Sequence, residues 1–310
     1  MVLTDKCGRP LLNLRIALTQ RCNLRCDYCH KEGEENQANA NLNEMTVPEI
    51  ERIAETAVKL GITRIKLTGG EPLMREDICE ISMAISAIPD LKDLSMTTNG
   101  QLLEGVADKL HDCGLRRVNI SLPTLDPEKY QQLTGGEISK TLRGIKAAVR
   151  AGFCPVKLNM VILSESNVDD VPDMMEFARE NGAILQLIEL DPMNVSSKYY
   201  SQFHKSLDEY ETMLEQKALT VETRRYMHGR RIYRLPEVTV EIVHPIENSE
   251  FCMHCTRMRV TSDGKLKPCL MKNENLIDIV GPIRKGATDA QLQELFIRAN
   301  EKREPYNKNF

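Results

Sequence analysis

Apolar stretches with strand character alternate with amphipathic stretches of helical period over the first two thirds of the chain. The predicted strands occupy residues 12–18, 62–67, 91–96, 117–122, 156–163 and 184–190. The first predicted helix begins at a capping box, Thr46 to Glu49, with Pro48 in its first turn. Further predicted helices occupy residues 78–88, 102–111, 138–151, 168–180 and 207–219. Six strand-then-helix units in a row predict a parallel sheet with right-handed crossovers.

The two faces of the predicted strands differ in polarity. One face of the early strands is apolar, whereas the other carries a polar series: Arg15, Thr19, Arg64, Lys66, Thr68, Asp93, Ser95, Thr97, Asn119, Ser121, Lys157 and Asn159. Strands of a doubly wound sheet are apolar on both faces, and an ordinary eight-stranded barrel is filled with branched aliphatic side chains. Neither fold explains a polar face. The pattern therefore predicts an α/β fold, an incomplete (βα)6 TIM-like barrel whose hydrated lumen holds a polar ligand.

The pattern changes after about residue 219. Residues 221–235 and 237–243 are typical of antiparallel strands, and a second group of cysteines follows them. We therefore predict two domains, a partial barrel over residues 1–219 and a C-terminal α+β module over residues 220–310. The basic pairs at 224–225 and 230–231 favour a solvated edge hairpin. Residues 30–43 are almost entirely polar and predict a loop.

The charge and composition limit which ligands we expect the protein to bind and in which cellular compartment we expect it. The formal net charge of -4 and the pI near 6.0 argue against nucleic-acid binding by a general basic field. An apolar segment long enough for a signal peptide or a membrane span is not found in the sequence, so we expect a cytoplasmic protein without a membrane partner. Ten cysteines are many for a reducing compartment, which favours metal binding where they cluster. The four that do not cluster, Cys7, Cys79, Cys113 and Cys154, are expected to be small buried side chains.

The first cysteine group directly follows the first predicted strand. Cys22, Cys26 and Cys29 are spaced so that three thiolates can hold three irons of a four-iron cluster and leave the fourth iron open. The alternative is a structural zinc site with His30 as the fourth ligand. The spacing fits paired zinc knuckles poorly. An open iron is a place where a substrate can bind.

The second group, Cys252, Cys255 and Cys269, also has three thiols. From residue types alone, a zinc site and a second iron–sulfur cluster fit it equally well. Its surroundings favour the cluster, because Arg257 and Arg259 follow at a spacing of two and so point the same way from an extended segment. Three cations of the polar face can meet them in the lumen: Arg15, Lys66 and Lys157. Five converging cations predict a polyanionic substrate such as a nucleoside triphosphate.

The first cysteine motif, with Tyr28 before its last cysteine, and the segment Thr68-Gly69-Gly70-Glu71-Pro72 together resemble the radical S-adenosylmethionine superfamily. The resemblance implies a [4Fe-4S] cluster on Cys22, Cys26 and Cys29 and S-adenosylmethionine on its open iron. It implies S-adenosylmethionine contacts by Tyr28, Gly70 and Ser121. It also implies one-electron cleavage to a 5′-deoxyadenosyl radical that abstracts hydrogen from the substrate.

Residues 251–269, FCMHCTRMRVTSDGKLKPC, resemble the C-terminal signature of the GTP 3′,8-cyclase family. The run Cys29-His30-Lys31-Glu32-Gly33 resembles archaeal members in particular. The resemblance implies a second [4Fe-4S] cluster on Cys252, Cys255 and Cys269. The implied GTP ligands are Arg15, Lys66, Thr97, Lys157, Arg257 and Arg259, of which Lys157, Arg257 and Arg259 are the candidate catalytic residues. The sequence departs from the common family pattern at Pro123 and Asp191, so we expect the adenosine end of the site to differ in detail. It departs a third time in its last residues, 304–310, which lack the Gly-Gly with which many members end.

The implied reaction is abstraction of the ribose 3′ hydrogen of GTP and ring closure to (8S)-3′,8-cyclo-7,8-dihydro-GTP, the first step of molybdenum cofactor biosynthesis. The implied partners are a reductant protein and cyclic pyranopterin monophosphate synthase, and a homodimer is one assembly that the resemblance allows. The alternatives are a radical S-adenosylmethionine enzyme that modifies peptides with an auxiliary cluster, and an iron–sulfur or zinc protein without catalytic activity.

Overall fold

A computed structural model describes residues 2–34, 44–246 and 248–306. Most of the predicted polar loop, residues 35–43, lies outside the described residues. The strands are β1 Asn13–Ala17, β2 Arg64–Thr68, β3 Asp93–Thr98, β4 Arg117–Ser121, β5 Val156–Ile162, β6 Ile184–Glu189, β7 Thr220–Arg224, β8 Arg230–Arg234, β9 Thr239–Val243, β10 Arg257–Val260, β11 Lys265–Lys267 and β12 Ile277–Asp278. The helices are α1 Val47–Lys59, α2 Ile78–Ser86, α3 Ala107–Asp112, α4 Pro127–Thr134, α5 Ile138–Arg150, α6 Val171–Glu180, α7 Ser197–Phe203, α8 Asp208–Lys217, α9 Ser249–Met253, α10 Val280–Arg284 and α11 Asp289–Glu301.

The six predicted β-then-α units are confirmed. Helix α1 begins where the capping box placed it, with the Thr46 amide donating to the Glu49 carboxylate at 2.8 Å. Helix α4 was not predicted, although its signals are readable: Asp126 accepts from two amides of the first turn, Pro127 begins the helix, and Gly135 ends it. The predicted helix at 102–111 is shorter than expected, because only Ala107–Asp112 is helical.

Within the part of the chain that the structure describes, one open sheet joins twelve strands in the order β12-β11-β10-β1-β2-β3-β4-β5-β6-β9-β8-β7. Two strands from the C-terminal third lie parallel to the strands of the predicted barrel, β10 beside β1 and β9 beside β6. The pairs β7–β8 and β8–β9 are antiparallel, as predicted for residues 221–243. Strands β11 and β12, which were not predicted, also pair antiparallel. The C-terminal third thus extends the curved sheet at both of its ends. The domain boundary near residue 219 stays a prediction.

The apolar face of the strands packs against the helices. Leu14, Ile16, Leu67, Met96 and Ile120 are among its fully buried side chains and belong to one continuous hydrophobic core. Burying one such side chain contributes roughly 1.5–3 kcal/mol, so this face fixes which way every strand is turned. The polar series on the other face must then point into the concave side of the sheet.

The scattered cysteines follow the expectation only in part. Cys79 on α2 and Cys113 after α3 are buried, whereas Cys7 and Cys154 are exposed. The expectation of burial was therefore wrong for Cys7 and Cys154, which lie in turn segments outside the packed helices and strands. Within the described ranges, none of the helices combines the length and the apolar character that crossing a membrane requires.

Candidate active site

A cavity of about 580 Å³ lies on the concave side of the sheet. Its lining includes all six clustered cysteines and nearly all of the predicted polar face, from Arg15 on β1 to Asn159 on β5. Thr19 is the exception, because it is buried outside the cavity, where its hydroxyl bonds to the Glu44 carboxylate. The predicted lumen lined by the polar face is therefore present, and it has the size of a small-molecule site.

The first cysteine group lies in the segment that follows β1. The Cys26 carbonyl accepts from the Cys29 amide at 3.2 Å, which closes a turn between two of the three thiols. Amides of Leu24 and Lys31 donate to the sulfurs of Cys22 and Cys29 at 3.5 and 3.4 Å. Amide donors around sulfurs are the usual surroundings of an iron–sulfur cluster. The three thiols, all unpaired, fit the cluster predicted for them.

Burial disfavours the charged form of these thiols on their own. It raises the pKa of Cys22 and Cys29, and together with the charge of Cys29 it raises the pKa of Cys26 to about 12. Thiolates in such a position need positive charge close by, which bound iron supplies. The alternative fourth zinc ligand, His30, is engaged elsewhere, since its Nδ1 accepts from the Glu32 amide at 3.0 Å.

The backbone of the segment after β2 packs directly against the backbone of residues 19–21, which precede the first cysteine group. The Gly70 amide donates to the Thr19 carbonyl at 2.7 Å, and the Glu71 amide donates to the Arg21 carbonyl at 2.8 Å. A Cβ on Gly70 would lie 2.2 Å from the Arg21 oxygen, so only glycine fits there. Glycine is therefore required at Gly70 for close packing, whatever ligand it contacts.

The Glu71 carboxylate is buried and turned away from the solvent. Burial raises its pKa to about 7, although the carboxylate accepts from the Thr98 hydroxyl and the Asn99 amide, both at 2.7 Å. Glu71 thus ties the end of β2 to the end of β3. Tyr28, Gly70 and Ser121, the predicted S-adenosylmethionine contacts, all line the cavity.

The second cysteine group comes from the end of α9 and from the turn after β11. The Cys255 amide donates to the Cys252 carbonyl at 3.2 Å, and Cys269 completes the set. Burial raises the pKa of Cys255, but the charge of Arg303, the Arg257 amide and the charge of Arg257 outweigh it, so the pKa is lowered. The His254 Nδ1 lies 3.0 Å from the Glu250 carbonyl, to which it can only donate.

Among the described residues, no three Cys, His, Asp or Glu side chains lie close enough to share one metal ion. A cubane cluster suits each set of three sulfur donors, because each sulfur binds a different iron and the three need not converge on one ion.

The five predicted cations converge on the cavity. Arg259, Arg15 and Lys66 are successive Cα partners on β10, β1 and β2, so they form one row across three strands. Arg257 lies one pleat away on β10, and Lys157 enters from β5 on the other side. Thr97 on β3 also lines the cavity. Like charges on adjacent strands repel, so this row favours an anionic ligand.

Two buried carboxylates partly neutralise these cations. Glu32 pairs with Arg15 at 3.2 Å and with Arg259 at 3.4 Å. Burial would raise the pKa of Glu32, but the two guanidiniums hold it well below its usual range. Glu241 on β9 pairs with Lys157. Burial lowers the pKa of Lys157 to about 8 even though Glu241 opposes the shift.

The sequence analysis missed two sets of residues. Asp5, Arg9 and Arg303 form a buried ion-pair trio behind the second cysteine group. Arg224 and Arg230 line the cavity, so the interpretation of both basic pairs as solvated was wrong for one member of each pair. Period-two alternation would have placed Arg224 and Arg230 on one face, but it does not reveal which face covers the cavity.

Asp191, one of the three departures from the family pattern, lies at the cavity after β6. Its carboxylate accepts from the Met193 amide at 2.9 Å and so shapes the turn that follows the strand. Pro123, a second departure, has its carbonyl bound by the Asn167 side chain at 2.8 Å.

Two family models match the chain. The radical SAM superfamily matches residues 16–178, and the family described as Molybdenum Cofactor Synthesis C matches residues 183–309. A probable GTP 3′,8-cyclase of Methanocaldococcus jannaschii is 46% identical over 309 residues, which cover 99% of each chain. A probable GTP 3′,8-cyclase of Pyrococcus horikoshii is 48% identical over 312 residues, which cover 98% of each chain.

Solved structures show the same fold at low sequence identity. The crystal structure of Streptococcus suis SuiB bound to the precursor peptide SuiA has a TM-score of 0.63 at 20% identity, covering 87% of this chain and 61% of that one. A tagged form of the protein anSMEcpe with bound AdoMet has a TM-score of 0.63 at 18% identity, covering 97% and 82%. The near-complete, roughly half-identical matches to the archaeal proteins are the more specific finding. The chain therefore belongs to the GTP 3′,8-cyclase family within the radical SAM superfamily.

Proposed function

We propose that the protein converts GTP into (8S)-3′,8-cyclo-7,8-dihydro-GTP in the first step of molybdenum cofactor biosynthesis. The observation that carries this proposal is that both cysteine triplets and the cationic row of Arg259, Arg15 and Lys66 open onto one cavity. Full-length relatives at 46% and 48% identity carry the matching name. A nucleoside triphosphate is the kind of ligand that this charge arrangement suits.

Membership of the radical SAM superfamily implies a [4Fe-4S] cluster and S-adenosylmethionine. We assign this cluster to Cys22, Cys26 and Cys29, and a second [4Fe-4S] cluster to Cys252, Cys255 and Cys269. When bound, the first cluster and S-adenosylmethionine supply a 5′-deoxyadenosyl radical. The chain's own contribution is to bind and orient both ligands and to keep them in a cavity enclosed by the two ends of the sheet.

The side chains divide this work by position. Tyr28, Gly70 and Ser121 bind S-adenosylmethionine near the first cysteine group. Arg15, Lys66, Lys157, Arg257 and Arg259 bind the phosphates, with Thr97 as a further GTP contact. Lys157, Arg257 and Arg259 are the candidate catalytic residues, because their contacts to the triphosphate would hold the ribose in position for hydrogen abstraction and ring closure.

Further parts of the proposal concern the cellular setting. We propose a cytoplasmic enzyme with a reductant protein as electron source. Cyclic pyranopterin monophosphate synthase is the proposed consumer of the product. A homodimer stays a prediction. The cavity has the volume of a small-molecule site, which suits GTP as the substrate.

Anaerobic incubation of the reconstituted protein with GTP, S-adenosylmethionine and dithionite tests the reaction. Chromatography with mass spectrometry should detect the cyclised nucleotide together with 5′-deoxyadenosine. We expect the double variant Arg257→Ala and Arg259→Ala to lose GTP cyclisation while still cleaving S-adenosylmethionine slowly. Arg298→Ala, at an exposed position of α11, is the control. Cyclisation at the normal rate in the double variant would refute the assigned GTP site.

The alternative functions have their own tests. GTP should protect the protein against thermal unfolding, which a peptide-modifying enzyme has no reason to show. About eight irons with matching acid-labile sulfide and little zinc, after anaerobic reconstitution, would exclude a zinc protein. The structural likeness to SuiB shows the fold alone, so it does not favour a peptide substrate.

A further inference from the structure

The β7–β8 hairpin places two arginines opposite each other at the cavity. Arg224 on β7 is the Cα partner of Arg230 on β8, and both line the cavity. Arg231 points to the other face, where it is exposed and pairs with Glu215 on α8. Like charges directly opposite on neighbouring strands lower stability. The pair therefore disfavours folding unless an anion lies near the two guanidiniums.

The two arginines differ in their partners. Arg224 Nη1 donates to Glu241 at 3.4 Å, and the same carboxylate also binds Lys157 and the Gln186 amide. Glu241 thus already serves three donors. Arg230 Nε is buried and has no hydrogen-bond partner among the described residues. A buried charged donor without an acceptor is costly, so Arg230 suits a ligand that brings acceptors with it.

Arg230 belongs to the same group of charges as the predicted phosphate ligands. Burial lowers its pKa to about 10; Glu241 opposes this shift, and Arg15 and Arg224 add to it. The guanidinium therefore stays charged at neutral pH. Burial and the charge of Arg15 lower the pKa of Arg257 most, and the charge of Arg230 lowers it further. These mutual effects place Arg230 close to Arg15 and Arg257.

The position of the hairpin is fixed by the second cysteine segment. The His228 amide donates to the His254 carbonyl at 3.1 Å, and the Thr256 hydroxyl donates to the Tyr226 carbonyl at 2.8 Å. The His228 ring stacks on Phe251, with centroids 4.0 Å apart. Arg230 directly follows this anchored turn, so its guanidinium is held beside the second cysteine group.

We propose that Arg230 is a further phosphate-binding residue, which donates to the polyphosphate chain of the substrate and makes the cavity favour nucleoside triphosphates over nucleosides. The proposal rests on the proposed function, because GTP is the ligand it concerns. It extends the phosphate site from the parallel strands to the antiparallel hairpin.

Binding measurements on the anaerobically reconstituted full chain test the proposal. The variants are Arg230→Ala and Arg230→Gln, with Arg231→Ala as the matched control on the opposite face of the same strand. GTP, guanosine and inorganic tripolyphosphate are each measured by equilibrium dialysis. A hydrogen bond to a charged group predicts that both Arg230 variants bind GTP and tripolyphosphate about tenfold to about a hundredfold more weakly. Guanosine binding should stay unchanged, and Arg231→Ala should bind all three like the wild type.

The outcomes separate this proposal from the proposed function. If the wild type binds tripolyphosphate but not GTP, and the Arg230 variants lose tripolyphosphate, the anion role stands and GTP is the wrong substrate. If both Arg230 variants bind GTP and tripolyphosphate as the wild type does, the proposal is overturned. Equal weakening by Arg231→Ala would also overturn it, since the effect would then come from the hairpin's stability.

Discussion

The backbone at the second cysteine group is held by three buried charged residues. Arg9 pairs with Asp5 at 2.8 Å and donates to the Cys252 carbonyl at 2.8 Å. Arg303 lies 3.4 Å from Asp5 and donates to the Cys255 carbonyl at 2.5 Å. All three side chains are at most 4% exposed, so solvent cannot replace these bonds. Two proposed cluster ligands thus depend on residues from both ends of the chain.

Replacing Arg303 should impair the second cluster more than the first. Arg303→Met leaves the carbonyl of Cys255 without its donor, while Asp5 keeps its ion pair with Arg9, so the change costs about 1–3 kcal/mol of unfolding free energy. We expect the iron content of the reconstituted protein to fall from about eight to about four per chain. Arg298→Met, at an exposed position of the same C-terminal region, is the control. Full iron content in Arg303→Met would contradict the positioning role.

The pKa of Lys157 predicts how GTP binding depends on pH. In the free protein, burial lowers this pKa to about 8, with Glu241 opposing the shift and Arg224 and Arg230 adding to it. A bound polyphosphate favours the charged amine and raises the pKa, so binding takes up a proton. GTP affinity should therefore be greatest below about pH 8 and should fall as the pH rises through that value.

Lys157→Arg is the matched variant, because an arginine stays charged over this range. Its GTP affinity, measured by equilibrium dialysis, should change less between about pH 7 and about pH 9 than that of the wild type. Identical pH profiles for the two proteins would show that Lys157 does not titrate against the phosphates.

At the scale of elements, the inner face of the early strands is the part of the site that the sequence predicted well. Arg15, Lys66 and Lys157 all line the cavity, because strand alternation is local and an apolar face can only point toward the helices. The pairing of β10 with β1, which aligns Arg259 with Arg15, joins residues far apart in the chain. No local pattern contains that register.

The residues that the sequence analysis missed share this long-range origin. Arg9 and Arg303 meet the second cysteine group only because the two ends of the chain pack together. Arg230 reaches the cavity because β9 pairs with β6 and brings the hairpin with it. In each case the residue is a charged one that belongs to none of the ligand-binding motifs found in the sequence. Its burial is decided by the sheet order, which the alternation of single strands does not specify.

The turn after β2 gives a prediction at the same scale. In Gly70→Ala the new Cβ would lie 2.2 Å from the Arg21 oxygen, so the backbone before the first cysteine group must shift. Overpacking of this kind costs about 1–3 kcal/mol. Gly105→Ala is the control, because a Cβ there meets nothing within 4 Å. Guanidinium chloride unfolding should show a loss only for Gly70→Ala; equal midpoints would contradict the close approach.

At the scale of the whole molecule, the open sheet curves so that the β7–β8 hairpin at one end meets the second cysteine group near the other end, and both cysteine groups line one cavity. The segments after the two groups also touch. A Cβ on Gly33 would lie 2.4 Å from the Leu270 oxygen, and the Glu34 carboxylate accepts from the Ser262 hydroxyl at 2.7 Å. Gly33 has a φ of +71°, so glycine is favoured there for its backbone as well. This packing holds the two proposed clusters at a fixed separation across the cavity.

The transfer of an isotopic label tests most directly whether one nucleotide lies between the two cysteine groups. The protein is turned over anaerobically with S-adenosylmethionine, dithionite and GTP deuterated at the ribose 3′ carbon. Mass spectrometry of the 5′-deoxyadenosine should show the deuterium, and GTP deuterated at the 2′ carbon should give unlabelled 5′-deoxyadenosine. Cyclised product accompanied by unlabelled 5′-deoxyadenosine from the 3′-deuterated substrate would contradict the shared cavity as the place of the reaction.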